Sequence, residues 1–264
     1  MNESVYVQIA SFAEQIKVSL TAEEMATLAE KNNMSGDVLT EILAVFEYMA
    51  TSHKNAITET CVRLSRLPRK NPKTFSNFDF SRIHGKDADV IKNLPALSQL
   101  YSHKNIAFIG PQGVGKTHLA MAYGYACCEL GMKAYFIKAN ELNQRFTNAR
   151  KLGTVEKTTT SLVKPSCLII DEIGRCTFDE WNTQIFFDVI DRRYIKEGPN
   201  CMILTSNKVP NTWGKYFIEQ DAVLGAMDRF FDDSLVCMIK GESYRGRKTQ
   251  TVSIEAGDKS TVKK

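Results

Sequence analysis

The chain has 264 residues, 43% apolar and 24% charged, enough to bury a core in one or two domains. Glycine (15) and proline (7) are too few for a collagen-like or low-complexity chain, and no apolar run approaches the roughly 20 residues of a membrane span. The formal charge of +4 is unevenly spread: residues 1–60 carry nine acids against three lysines, residues 61–73 carry Arg63, Arg66, Arg69, Lys70 and Lys73 with no acid, and the stretch from Lys240 onward carries seven basic residues against three acidic ones. Clustered charge of this kind marks surfaces for partners.

The start, Met1-Asn2-Glu3-Ser4, lacks the basic stretch and apolar core of a secretory signal. Cys61, Cys127, Cys128, Cys167, Cys176, Cys201 and Cys237 are odd in number with no Cys-x-x-Cys pair, and read as reduced core residues. Both features point to the cytoplasm. Thr21-x-x-Glu24 is a capping box that predicts a helix through about Lys31. After a turn at 32–36, the apolar spacing Val38, Leu39, Ile42, Leu43, Val45, Phe46, Met49 predicts a second helix. The pair is read as a plain helical bundle in preference to a helix-turn-helix, because Asp37, Glu41 and Glu47 would meet phosphates with the wrong sign. Residues 61–80, with Pro68 and Pro72 and the aromatic stretch Phe75 to Phe80, read as a linker, with a domain boundary near residue 74.

From about residue 104, the runs Ile106–Ile109, Ala134–Ile137, Cys167–Ile170, Cys201–Leu204 and Leu235–Ile239 alternate with amphipathic helices, the pattern of an α/β core with a parallel sheet between helices. Gly131 closes a helix that begins near Gly115, and Thr177-x-x-Glu180 opens another that ends at Gly198-Pro199.

Gly110-Pro111-Gln112-Gly113-Val114-Gly115-Lys116-Thr117, between predicted strand and helix, fits the P-loop, in which backbone N–H groups converge on phosphates, Lys116 offers a charge to the β- and γ-phosphates and Thr117 places a hydroxyl on Mg2+. The apolar strand ending in Asp171 and Glu172 supplies the second half of such a site, with Asp171 holding the metal through water and Glu172 polarising the attacking water as general base. Asn207, at the tip of the next strand, can bridge that water and the γ-phosphate.

These elements in this order resemble the AAA+ ATPases. Phe78-Asp79-Phe80, the run Asn105 to Pro111 continuing into Gly113 to Ala120 with His118 after the P-loop, Ile170-Asp171-Glu172-Ile173-Gly174, Asp191-Arg192-Arg193-Tyr194, Thr205-Ser206-Asn207, Asp228-Arg229-Phe230 and Gly241-Glu242-Ser243-Tyr244-Arg245 are similar to the IstB and DnaC branch, closer to IstB, over residues 74–247. The resemblance implies that Mg-ATP binds at residues 110–118 with Asp171. It also implies that Arg229 acts as an arginine finger on a neighbour's nucleotide, that Arg245 is a second interface arginine, and that Arg192 and Arg193 are open candidates for the interface. Only about 25 residues follow Lys240, so no C-terminal lid is expected.

The expected organisation is an α-helical N-terminal domain with its basic linker (1–73), an AAA+ P-loop core lacking a lid (74–247) and a basic tail (248–264). The expected function is an ATPase that forms homo-oligomers through the ATP interface on DNA, duplex by preference, serves a transposase and hydrolyses ATP to disassemble. The alternative is a DnaC-like loader of a replicative helicase on single-stranded DNA; a small-molecule P-loop kinase is disfavoured by the tip asparagine and the trans arginine. Members of this branch are usually basic in their N-terminal helices and this chain is acidic there, so DNA contact is expected at Arg63, Arg66, Arg69, Lys70 and Lys73, with Arg63 and Arg66 sharing one helix face.

Overall fold

In the computed structural model of the chain, residues 4–218 and 220–243 are described, the side chains of 220–224 excepted. The acidic N-terminal part folds as three helices, α1 (Val5–Gln15), α2 (Ala22–Lys31) and α3 (Gly36–Leu64). The capping box forms: Thr21 Oγ1 accepts the Glu24 N–H at 3.1 Å and the Glu24 carboxylate accepts the Thr21 N–H at 2.8 Å. Ile9, Met25, Ala29 and Leu39 are buried together, with Tyr6, Leu20, Met34, Ile42, Leu43 and Phe46 packed against them. Val38, Val45 and Met49, expected on the same face, are exposed, because one helix pair covers a narrower stripe of α3 than its apolar residues span.

Helix α3 does not stop near Met49. It runs for 29 residues, about 44 Å at 1.5 Å per residue, and carries Arg63 in its last turn. Residues 61–80 are therefore not a free linker. Cys61, Leu67 and Phe78 are buried in the same core as the sheet, the Phe136 N–H donates to the Ser65 carbonyl at 2.8 Å, and Leu67 packs at Gly124, where even a methyl group would meet Ile169 Cδ1 at 2.8 Å. The basic charges that suggest a spacer alternate with apolar residues that fix it in place.

The sheet has five parallel strands, β1 (Asn105–Ile109), β2 (Ala134–Lys138), β3 (Cys167–Ile173), β4 (Cys201–Ser206) and β5 (Ser234–Met238), in the order β2-β3-β4-β1-β5. After the short α4 (Ala88–Lys92) and α5 (Ser98–Tyr101) come α6 (Lys116–Glu129), α7 (Ala139–Lys151), α8 (Val155–Val163), α9 (Glu180–Tyr194) and α10 (Gln220–Phe231). Ile106, Phe108, Ile169 and Ile203 face α6 residues Leu119, Ala120 and Tyr123; Ala107, Ile109, Leu168, Ile170 and Leu204 face the core that holds Leu142, Leu162, Phe186 and Ile190. A parallel sheet covered on both sides reads as near-continuous apolar runs, as β1, β3 and β4 do; the edge strand β5 buries only Cys237 and leaves Val236 and Met238 exposed, although its run is apolar too.

Helix α9 is capped by Asp179, whose Oδ1 accepts the Asn182 N–H at 2.7 Å, not by Thr177, and it ends at Tyr194, short of Gly198. Near its end, Arg193 is 3% exposed and donates to the carbonyls of Leu162, Val163, Pro165, Ser166 and Cys201. It satisfies carbonyls at the end of α8 that would otherwise be stranded in the core. Arg192 pairs with Glu156 and Asp188 at 2.7 and 2.9 Å. Arg193 is thus committed to the fold and unavailable to an interface. The seven cysteines are free thiols, and all but Cys176 are buried. Among the described residues, no helix is long and apolar enough to cross a membrane.

Leu67 distinguishes a packed segment from a spacer. Leu67→Ala should lower unfolding stability by about 2–4 kcal/mol in urea melts, the cost of a cavity in a packed core, whereas a spacer residue would leave the midpoint unmoved.

Candidate functional site

The carboxyl ends of β1, β3 and β4 lie side by side, the edge at which ligands bind in parallel sheets. β1 ends at Ile109 and the chain enters residues 110–115. Gly110 and Gly113 have φ of +155° and +81°; a Cβ at Gly110 would lie 2.0 Å from the Ile239 carbonyl oxygen, and one at Gly113 would lie 1.9 Å from Ser243 Oγ. The loop can therefore be made only of backbone there, and the segment after β5 rests directly on it. Gly115, with φ +96°, then starts α6, whose first-turn N–H groups have no side-chain cap. An uncapped helix N-terminus beside a cleft is an anion site. Lys116, 7% exposed, donates from Nζ to the carbonyls of Gly110 and Pro111 at 2.8 and 2.6 Å.

Asp171 is 2% exposed, within β3. Its Oδ1 accepts two hydroxyls, from Thr117 of α6 at 2.8 Å and from Thr205 of β4 at 2.6 Å. Burial pushes its pKa up; the two hydroxyl donors, Thr205 before Thr117, work against that, and the neighbouring Glu172 charge adds to it. Thr205 Oγ1 in turn accepts the Glu172 N–H at 3.0 Å. Glu172 sits at φ +64°, where the pairing of β3 with β4 shifts register between Ile170 and Ile173. That bulge turns successive acids to different surroundings: Asp171 inward behind the hydroxyls, Glu172 into the cleft. Arg175 Nη1 donates to both Glu172 carboxylate oxygens at 2.7 Å.

These ends open on a cleft of about 1390 Å³. Of the sequence-predicted residues, Gln112, Gly113, Gly115, Lys116, Thr117, His118, Glu172 and Asn207 line it, while Val114 and Asp171 are buried and Gly110 and the exposed Pro111 are not part of its lining. The facing wall is Pro68, Asn71, Lys73, Asn77, Phe78 and Asp79, the segment taken for a linker. Two bonds hold that wall: Tyr125 donates its hydroxyl to the Pro68 carbonyl, and His118 Nε2 lies 2.9 Å from the Thr74 carbonyl. The His118 ring also packs edge-on to Phe78, 5.1 Å between centroids, and burial lowers its pKa. Sequence reasoning assigned this wall and Thr205 no part in the site, although Lys73 was expected to meet DNA and Phe78-Asp79 and Thr205 stood in the motifs of the resemblance, and it missed Arg175.

The remaining predicted residues fall elsewhere. Arg229 is on α10, away from its own cleft, half-exposed and 3.1 Å from Asp191. Arg245 lies outside the described residues. The five basic residues are all exposed but differ in their surroundings. Arg66 is paired with Glu141 at 2.7 Å, and Lys73 lines the cleft. Arg63 and Arg66 do not share a helix face, because α3 ends at Leu64 and Arg66 takes φ +63°.

A family profile described as IstB-like ATP binding protein matches residues 14–252. A protein of Geobacillus stearothermophilus, named for insertion sequence IS5376 and for ATP binding, is 34% identical over 242 residues, covering 91% of this chain and 94% of its own length. One of Pseudomonas aeruginosa, named in the same way for IS21, is 33% identical, covering 74% and 72%. Among solved structures, AMPPCP-bound DnaA from Aquifex aeolicus superposes with a TM-score of 0.52 at 25% identity, over 66% of this chain and 51% of that one.

The elevated Asp171 pKa has a measurable consequence. Because its folded value lies above the unfolded one, ionisation costs the folded chain stability at neutral pH, and the cost disappears below the unfolded value of about 3.9. Asp171→Asn, which keeps an oxygen for both hydroxyls, should raise the Tm of the nucleotide-free protein at neutral pH. The gain should shrink as melts are taken toward pH 4.

Proposed function

This chain belongs to the family of IstB-like ATP-binding proteins, with an AAA+ P-loop core, and we propose that it hydrolyses ATP to control an oligomer that it forms on DNA for a transposase. The observation that carries the reading is the convergence of Lys116, Thr117, Glu172 and Asn207 on one cleft, with Asp171 bonded to Thr117 behind it. Lys116 leaves the loop carbonyls for the β- and γ-phosphate oxygens, which are stronger acceptors for an ammonium. Glu172 takes a proton from the water that attacks the γ-phosphorus, while the bond to the β–γ bridging oxygen breaks and ADP leaves. Asn207 orients that water.

The residues present fit Mg2+. A hard cation that keeps several waters needs one hydroxyl, one carboxylate and phosphate oxygens in place of a protein cage, and Thr117 with Asp171 supplies the first two. Both hydroxyl bonds to Asp171 fall on Oδ1, which leaves Oδ2 for a metal-bound water. Bound Mg2+ would supply charge neutralisation at the phosphates.

Arg229 is exposed and away from its own cleft, the placement a finger for a neighbour's γ-phosphate requires; Arg245 is the second candidate for that role. Exposed Arg63, Arg69 and Lys70 meet the DNA backbone, duplex by preference, while Arg66 is spent on Glu141. The transposase as partner follows from relatives named for insertion sequences; the helicase-loader alternative has only a likeness of fold behind it.

Two substitutions separate binding from turnover. Lys116→Ala should lose ATP affinity, whereas Glu172→Gln should bind ATP normally, hydrolyse it about 10²–10⁴ times more slowly and leave oligomers on DNA. Turnover near wild type in Glu172→Gln would remove Glu172 from the role of base.

DNA affinity supplies a separate readout. Neutralising Arg63, Arg69 and Lys70 together should flatten the log-log salt dependence of duplex binding by about two to three units, at roughly 0.9 per phosphate contact. Arg66→Ala alone should leave it nearly unchanged.

A further inference from the structure

At the amino ends of the strands, opposite the cleft, two cations share one acceptor. Pro165 lies buried two residues before β3, and its carbonyl oxygen accepts Arg193 Nη1 at 2.8 Å and Lys196 Nζ at 3.0 Å. Arg193 keeps its charge at neutral pH and is held in place by the four further carbonyls to which it donates. Lys196 has no such compensation: among the described residues it forms no ion pair with a carboxylate. We propose that Lys196 is a nucleophilic amine, a modification site that small acyl phosphates acylate ahead of the exposed lysines.

A protonated amine has no lone pair with which to attack, so its reactivity depends on what disfavours the charge. At Lys196 burial of the half-covered Nζ acts first and the Arg193 charge second, and together they push its pKa down to about 8, while the Cys167 thiol at the start of β3 works the other way. A desolvated site and a neighbouring cation are the two devices by which lysines are activated as nucleophiles. The turn after α9 keeps the two cations together. The Lys196 N–H donates to the Arg193 carbonyl at 3.2 Å and Asn200 Nδ2 donates to the same oxygen at 2.6 Å, which ties the backbone of one beside that of the other.

The surroundings favour an anionic acyl donor. Lys164, exposed, directly precedes Pro165, so with Arg193 the local charge is positive and draws in a phosphate leaving group. The Nζ lone pair attacks the acyl carbon, the bond from that carbon to the phosphate oxygen breaks, inorganic phosphate leaves, and the proton shed by Nζ passes to solvent. The product amide is uncharged and keeps one N–H for the Pro165 carbonyl, so the reaction removes the conflict with Arg193 without stranding the acceptor. The site is remote from Lys116 and Glu172, and the inference does not depend on the reading of the cleft.

The test is treatment of the full chain with acetyl phosphate, with nucleotide present to cover the cleft and the acetylation rate of each lysine followed by peptide mass spectrometry between pH 7 and pH 10. At pH 8 about half of Lys196 is neutral against roughly 0.4% of an ordinary lysine, an advantage of about a hundredfold in free amine. Lower basicity and partial burial take back part of it, and Lys196 should react about tenfold faster than the exposed Lys31 and Lys151. Its rate should level off above about pH 8.5 while those of the exposed lysines climb to pH 10. In guanidinium chloride the advantage should vanish, because it resides in the fold. Equal or slower acetylation of Lys196 in the folded chain, a rate that climbs in parallel with Lys31, or an advantage that survives unfolding would each overturn the proposal.

Discussion

The buried Asp171 carboxylate, taking one hydroxyl from Thr117 and another from Thr205, is the contact on which the rest of the site depends. A carboxylate this deep is tolerable only with donors on it, and each donor comes from a different element, one from the first turn of α6 and one from the end of β4. The same bonds that compensate its burial therefore hold the P-loop helix against the sheet. Thr205 passes the constraint on by accepting the Glu172 N–H, which sets the bulge that turns the next acid toward the cleft. One desolvated charge thus determines where three functional side chains stand.

The second constraint is that the cleft is not finished by the P-loop core alone. Its far wall is residues 68–79, attached through Tyr125 and His118 of α6, so the helix that begins at the phosphate-binding loop also carries the anchors for the opposite side. On the third side, Ile239 and Ser243 lie against Gly110 and Gly113. The loop is enclosed by segments far from it in sequence, and only glycine permits that closeness.

What the sequence made legible was whatever has a local signature. The central strands β1, β3 and β4 were visible because burial on both faces makes them uniformly apolar, β2 and the half-exposed β5 because their runs are apolar too, and the P-loop and Asp171-Glu172 because their chemistry dictates residue types at fixed spacing next to strand ends. The capping box was legible for the same reason. The extent of α3 and the wall at 68–79 were not, because Leu67 and Phe78 are isolated apolar residues among charges and prolines, and their burial is decided by Gly124 and the α6 face. Arg193 shows the limit from the other side. In sequence it is one of two adjacent arginines at a helix end, and only the carbonyls left open by α8 distinguish it from Arg192.

The continuity of α3 has a mechanical consequence. It is a single helix, packed at one end among α1 and α2 and at the other through Cys61, a few residues before the wall of the cleft. A rigid rod of about 44 Å is a lever with a short and a long arm. A rotation of about 5° at its root would carry its far end, and the acidic helices packed on it, by roughly 4 Å.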